Sequence, residues 1–245
     1  SGLRERCSWR EPGRACWRDR VEASRSEVKI SFRHQTVYNG CHKCAGRTFD
    51  RLLGHHIVSF EEYRKLLAER PKMRHFLRFA VVRDPLERFV SGYNQLLMDR
   101  ETPFGRVHRD AENCTSREGR VAVARSLLRL MLEETSDFDG HLASQANELG
   151  NGASPSLRLG AILKLENLAD EASVVLSRPG VYGQQLPFVA SSGRGRGRCL
   201  LAGASDLTDE AVLDVCRFSF QDFVCFDYQL PEACKSLQSL LDAYR

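Results

Sequence analysis

At 245 residues the chain can bury a substantial core, as one large domain or two small ones. Its 42% hydrophobic and 28% charged residues are those of an ordinary soluble globular protein, and its net charge of +4 suits an anionic ligand without calling for nucleic acid. No apolar run is long enough to cross a membrane and none near the start has signal-peptide character. The opening "SGLRERCSW" has no initiator Met and reads as a trimmed or processed chain, so a membrane anchor is expected only outside it. Nine cysteines, an odd number, leave at least one free thiol or an intermolecular bond. Asn113-Cys114-Thr115 fits the N-glycosylation sequon, a hint of a secretory compartment.

Residues 1–26 carry seven arginines with little periodicity and read as a basic, poorly ordered arm, leaving 27–245 as a single domain. The run from Glu27 to Tyr38 alternates as a strand does. A loop through Lys43 follows, then a helix of about two turns from Arg47. Ser59 and Glu62 have the spacing of a capping box, and Pro71 stops the helix they start. His75 to Val82 is an apolar run expected as a buried parallel strand. Pro85 suits the first turn of a helix whose apolar face is Leu86, Phe89, Val90, Tyr93 and Leu97. Residues 101–118 read as a loop and Arg120 to Glu134 as a helix. Past 136–157, a second variable segment, a strand ends near Leu165 and an acidic helix start follows. The Gly-interleaved basic stretch Ser191 to Ser205 reads as a flexible loop, and helices from Thr208 and Pro231 close the chain. Strands alternating with helices predict an α/β fold with a mainly parallel central sheet, P-loop-like and three-layered, flanked by helices. Ligands then bind beyond the carboxyl ends of the strands.

Two pieces at such ends carry chemistry. In "CHKCAGRTF", Lys43 precedes a glycine and a helix start, where backbone N–H groups and the helix dipole attract an anion. Arg47 and Thr48 add donors; a purely structural turn is the alternative reading. The order is not that of a Walker loop. In "RDPLERFVS", Arg83 can fork onto a phosphate, with Ser91 two turns into the next helix; an Arg–Asp pair that merely caps the helix is the alternative.

Together the pieces resemble the sulfotransferases. "HKCAGRTF" is similar to their "PKTAGTSL"-type loop, and "FAVVRDPLERFVSGYNQLL" to their "RDPxERxxSxY" segment. "ILKLENLADE" and "FQDFVCFDY" are similar to later segments, so the likeness spans about 37–230. It points to the Golgi-type carbohydrate sulfotransferases, including relatives of the uronyl 2-O-sulfotransferases. The sequence departs from that pattern with His42 in place of a proline, Cys44 in place of a threonine or serine and Arg47 in place of a small residue.

The resemblance implies transfer of a sulfuryl group from 3′-phosphoadenosine 5′-phosphosulfate to a hydroxyl, with no metal required. Lys43, Cys44, Ala45, Gly46, Arg47 and Thr48 would hold the 5′-phosphosulfate, and Arg83 and Ser91 the 3′-phosphate. Arg194 and Arg196, with Arg198, would close over that phosphate as a lid; a solvated linker is the alternative. "GHHIVSFEEY" is similar to the histidine stretch of the 2-O-sulfotransferases, which makes His55 and His56 the candidate bases, with His141 a further one. The acceptor is expected to be a glycan bound by loops 101–118 and 136–157, and the location the Golgi lumen, as the lumenal part of a membrane-anchored protein. Two other readings stay open: a non-catalytic domain that binds nucleotide or glycan, and a thiol-redox protein using Cys41-x-x-Cys44.

Overall fold

The computed structural model describes residues 27–54, 56–99, 112–133, 141–150, 159–177 and 199–244, and it divides the run expected as one strand from Glu27 into two. β1 (Glu27–Ser31) and β2 (Thr36–Gly40) form an antiparallel hairpin, with Ile30 opposite Val37. The turn between them is made by Gln35 at φ 52, a left-handed conformation with no glycine to announce it. After the Lys43 loop, α1 (Gly46–Leu53) runs for 8 residues and ends at Gly54, whose φ of 55 is the usual glycine stop. β3 (His56–Ser59) was not expected: its four residues lie inside the stretch read for its histidines.

The capping box is formed. Ser59 Oγ accepts from the Glu62 amide and the Glu62 carboxylate accepts from the Ser59 amide, starting α2 (Phe60–Glu69). A 3₁₀ turn at Pro71–His75 leads into β4 (Leu77–Val82), then α3 (Pro85–Met98), where the Asp84 carboxylate accepts from the amides of Leu86 and Glu87. α4 (Arg117–Glu133) begins three residues before its expected start at Arg120. α5 (Gln145–Gly150) and β5 (Ala161–Lys164) follow. The one helix expected after β5 is two short ones, α6 (Leu168–Glu171) and α7 (Ser173–Leu176). α8 (Asp209–Phe218), capped by Thr208, α9 (Phe220–Cys225) and α10 (Gln238–Tyr244) complete the chain. The basic arm, Arg194, Arg196 and Arg198 lie outside the described residues.

The described residues of 21–83 and 147–193 form one compact unit, and those of 84–146 and 194–245 another. In the first, the sheet order is β3-β1-β2-β4-β5. β1 is antiparallel to both β2 and β3, while β2, β4 and β5 are mutually parallel, so every strand except β1 runs the same way. Tyr38, Phe79 and Leu163 share one face and bury against Phe49 of α1 and Val175 of α7. Ile30 and Val37 share the other and bury against Tyr63 and Leu67 of α2. Helices therefore cover both faces, as the three-layer expectation requires. The rings of Tyr38, Phe49 and Phe79 meet pairwise at 5.5, 5.1 and 5.0 Å, each contact contributing about 1 kcal/mol beyond area burial.

The second unit is helical and cross-linked. Cys114–Cys199 closes a separation of 85 residues and Cys216–Cys234 one of 18. Cys225 is buried in the same unit. Asn94 on α3 brackets Leu201, donating to its carbonyl at 2.8 Å and accepting from its amide at 3.0 Å. Tyr93 donates to the Cys199 carbonyl at 3.0 Å.

Candidate functional site

The Lys43 loop is built by alternating backbone handedness. Lys43 has φ 66 and Ala45 φ 60, both left-handed, with Cys44 between them. Such alternation turns successive amides toward a common concavity that suits an anion. Its position is fixed from below: buried Tyr38 donates to the Cys44 carbonyl at 2.7 Å. Burial pushes the Tyr38 phenol well above its usual range, with Asp50 and Glu148 adding to the rise, so it remains an O–H donor. Cys41 and Cys44 are disulfide-bonded, and Cys41 Sγ lies 3.2 Å from the Val81 carbonyl on the neighbouring strand.

At the start of α1, Ala45 has no side chain able to cap, and the helix has no acidic residue in its first turn. The Ala45 carbonyl accepts from Thr48 and Phe49 at 3.0 and 3.2 Å, leaving the Gly46 and Arg47 amides ahead of the first helical bonds. The nearest acid on the helix, Asp50, is neutralised by Lys29 at 2.8 Å. Lys43, Arg47 and the helix dipole contribute positive potential at the loop, and the Glu148 carboxylate against His42 is the opposing charge.

Arg83 comes to the same end of the sheet. Gly40 is in register with Val81, and Val82 with Lys164, so β2, β4 and β5 finish side by side. Arg83 follows β4 directly and is half-buried, while the carboxylate of Asp84 is engaged in capping α3. Ser91 lies on α3 in the helical unit, half-buried, two turns from its start.

His56 does not join this arrangement. It pairs with Ile30, which pairs with Val37, which pairs with Arg78. That row is where β2 and β4 begin, roughly 10 Å of strand before Gly40. There the exposed His56 ring meets Phe32 edge-on at 6.5 Å. The register sets His56 on an edge strand paired with β1, and its candidacy as a base rests on the sequence resemblance alone. His55 lies outside the described residues. His141 is half-buried in the helical unit, its carbonyl against the α-carbon of Gly92.

Sequence reasoning passed over His42. Its Nδ1 lies 3.0 Å from Glu148 Oε1, and its backbone amide donates to Glu148 Oε2 at 2.8 Å. A signal in the sequence is the departure from proline at this position. A second missed feature is Asp222, fully buried in the helical unit. It accepts from Ser144 Oγ at 2.7 Å, the Ala146 amide at 2.8 Å, the Gln145 amide at 3.1 Å and Gln145 Nε2 at 3.3 Å. Burial pushes its carboxyl up, against the opposing pull of Arg88 and these donors.

A family model described as the sulfotransferase family matches residues 26–229, most of the chain. No curated protein and no solved structure matches it.

Proposed function

Because the chain belongs to the sulfotransferase family, we propose that it moves a sulfuryl group from 3′-phosphoadenosine 5′-phosphosulfate to a hydroxyl of a carbohydrate. The observation that carries this reading is the Lys43–Ala45 pair of left-handed residues at an uncapped helix start, set at the same end of the sheet as Arg83. A nucleotide phosphorylated at both ends needs two separate anion sites, and a mononucleotide needs one.

The residues present fit that donor. Lys43, with the amides of Cys44, Ala45, Gly46, Arg47 and Thr48, would hold the 5′-phosphosulfate, and Arg83 the 3′-phosphate. Ser91, Arg194 and Arg196 are assigned to the 3′-phosphate by the sequence resemblance alone. The donor supplies a sulfuryl group on a phosphate leaving group. Lys43 neutralises charge building on that phosphate, and the fixed amides orient the oxygens without reorganising during reaction. A histidine takes the proton of the acceptor hydroxyl. The Cys41–Cys44 pair, 4% and 0% exposed, holds the loop's shape in this reading rather than exchanging electrons with a substrate. Three disulfides among the described residues support an oxidising, lumenal compartment such as the Golgi, where a membrane anchor outside this chain would retain it.

The test is a thermal-shift titration with 3′-phosphoadenosine 5′-phosphate against adenosine 5′-monophosphate. Strong stabilisation by the first and little by the second is expected. Equal, negligible shifts would sink the reading.

A further inference from the structure

We infer that His42 is the group that takes the acceptor's proton and that Glu148 positions it. The inference rests on the functional reading above and names a residue for a step that reading leaves open. His42 is the residue before Lys43, so its imidazole stands beside the loop assigned to the phosphosulfate. Its side chain is 48% exposed, whereas that of Glu148 is only 9% exposed.

The hydrogen bonds fix the tautomer. A backbone amide only donates, so Glu148 Oε2 is an acceptor toward His42 N. A carboxylate whose other oxygen faces the ring at 3.0 Å also accepts there, which places the imidazole proton on Nδ1. In the neutral ring Nε2 then carries the basic lone pair. When it gains a proton, the imidazolium sits against a largely buried carboxylate, where the attraction is stronger than in water. The charged groups nearest in the chain and across this contact are Lys43, which opposes the imidazolium, and Glu148, which favours it.

The departure from proline now has a physical meaning. Proline has no N–H and no ring donor, so it can make neither contact with Glu148. Histidine at this position makes both at once. The backbone beneath is held by the Cys41–Cys44 disulfide, by left-handed Lys43 and by the Tyr38 bond to Cys44, so the imidazole projects from a fixed base. His56, by contrast, lies at the row where β2 and β4 begin.

The proposed step balances without a further reactant. The acceptor hydroxyl gives its proton to His42 Nε2 as its oxygen forms the bond to sulfur. The sulfur–oxygen bond to the donor's 5′-phosphate breaks, and its electron pair stays on that phosphate. The proton on His42 then passes to solvent.

Two measurements test this. The first is nitrogen-15 NMR of the histidine rings in the wild-type protein: His42 should be the Nδ1–H tautomer and lose that preference in Glu148→Gln. A wild-type Nε2–H tautomer overturns the inference. The second is single-turnover transfer from radiolabelled donor to unsulfated chondroitin and desulfated heparin, alongside calorimetric binding of 3′-phosphoadenosine 5′-phosphate. His42→Ala should be about 100-fold or more slower and partly rescued by added imidazole, with product-nucleotide affinity within about threefold of wild type. Glu148→Gln should be about tenfold slower. A His42→Ala protein at wild-type rate, or one that loses nucleotide affinity as steeply as rate, overturns the assignment. A wild-type protein that neither binds the nucleotide nor transfers to either glycan overturns the functional reading itself.

Discussion

Cys41 and Cys44 are joined in a bridge of sequence separation 3 that encloses the left-handed Lys43, the residue assigned to the phosphosulfate. Both half-cystines are buried, and one lies against the Val81 carbonyl of the adjoining strand. The loop is therefore tied to the sheet before any ligand arrives. Freeing it would let several backbone dihedrals fluctuate that binding must then refreeze, at about 1–2 kcal/mol per residue. The Cys41→Ala/Cys44→Ala double variant should accordingly bind 3′-phosphoadenosine 5′-phosphate about tenfold more weakly by calorimetry. Cys216→Ala/Cys234→Ala, which removes a disulfide from the helical unit, should bind as wild type does. Equal losses in the two would mean that general destabilisation, not loop geometry, is being read.

Lys43 combines a charge with an unfavourable backbone conformation, and two substitutions separate them. Lys43→Ala and Lys43→Gly both remove the ammonium group, so each should slow single-turnover transfer by about 100-fold or more. They should differ in stability. At φ 66 an L-residue with a Cβ is disfavoured by roughly 1 kcal/mol relative to glycine, so Lys43→Gly should melt higher than Lys43→Ala. Transfer at the wild-type rate by either variant would remove Lys43 from the mechanism.

Where local chemistry decides structure, the sequence was a sufficient guide. The Ser59–Glu62 box, the Pro85 helix start with Asp84 as cap, and the apolar strand through Val82 each depend on residues within a few positions of one another. The errors have a common cause in non-local pairing. The hairpin turns on Gln35 in a left-handed conformation, which glutamine does not advertise, and β3 exists only because β1 lies there to pair with it. That pairing sets His56 on the edge strand opposite Ile30. The His42–Glu148 contact joins residues 106 apart, so no pattern along the chain could reveal it. Lys43 and Arg83 come to one edge because both follow parallel strands, and parallel neighbours end at the same edge.

The capping box gives a pH-dependent prediction. Bonds from the Ser59 amide and hydroxyl hold the Glu62 carboxyl below its ordinary value. A carboxyl depressed in the folded state contributes stability above its unfolded value, and that contribution is lost as pH falls through the folded one. The start of α2 should therefore fray on acidification below the usual carboxylate range. Carbon-13 NMR titration of Glu62 should show the depressed midpoint in wild type and a return to the ordinary one in Ser59→Ala. An unchanged midpoint in the variant would show that the box does not govern this carboxyl.

Asp222 gives the most demanding stability test, because its two oxygens are fully used. Oδ1 accepts from the Ser144 hydroxyl and the Ala146 amide, and Oδ2 from the backbone and side-chain amides of Gln145. Alanine would leave these donors without their acceptor at a position with no access to water, and would remove the negative charge that acts on buried Arg88. Each orphaned buried group costs about 1–3 kcal/mol, so Asp222→Ala should lose about 3 kcal/mol or more in urea unfolding. Asparagine keeps the shape but turns an NH₂ toward donors, so it has an N–H facing an N–H on one side whichever way the amide flips. Asp222→Asn should thus be destabilised nearly as much as the alanine variant, despite being the closer isostere. If asparagine restored most of the stability, the four bonds would matter less than the volume they enclose.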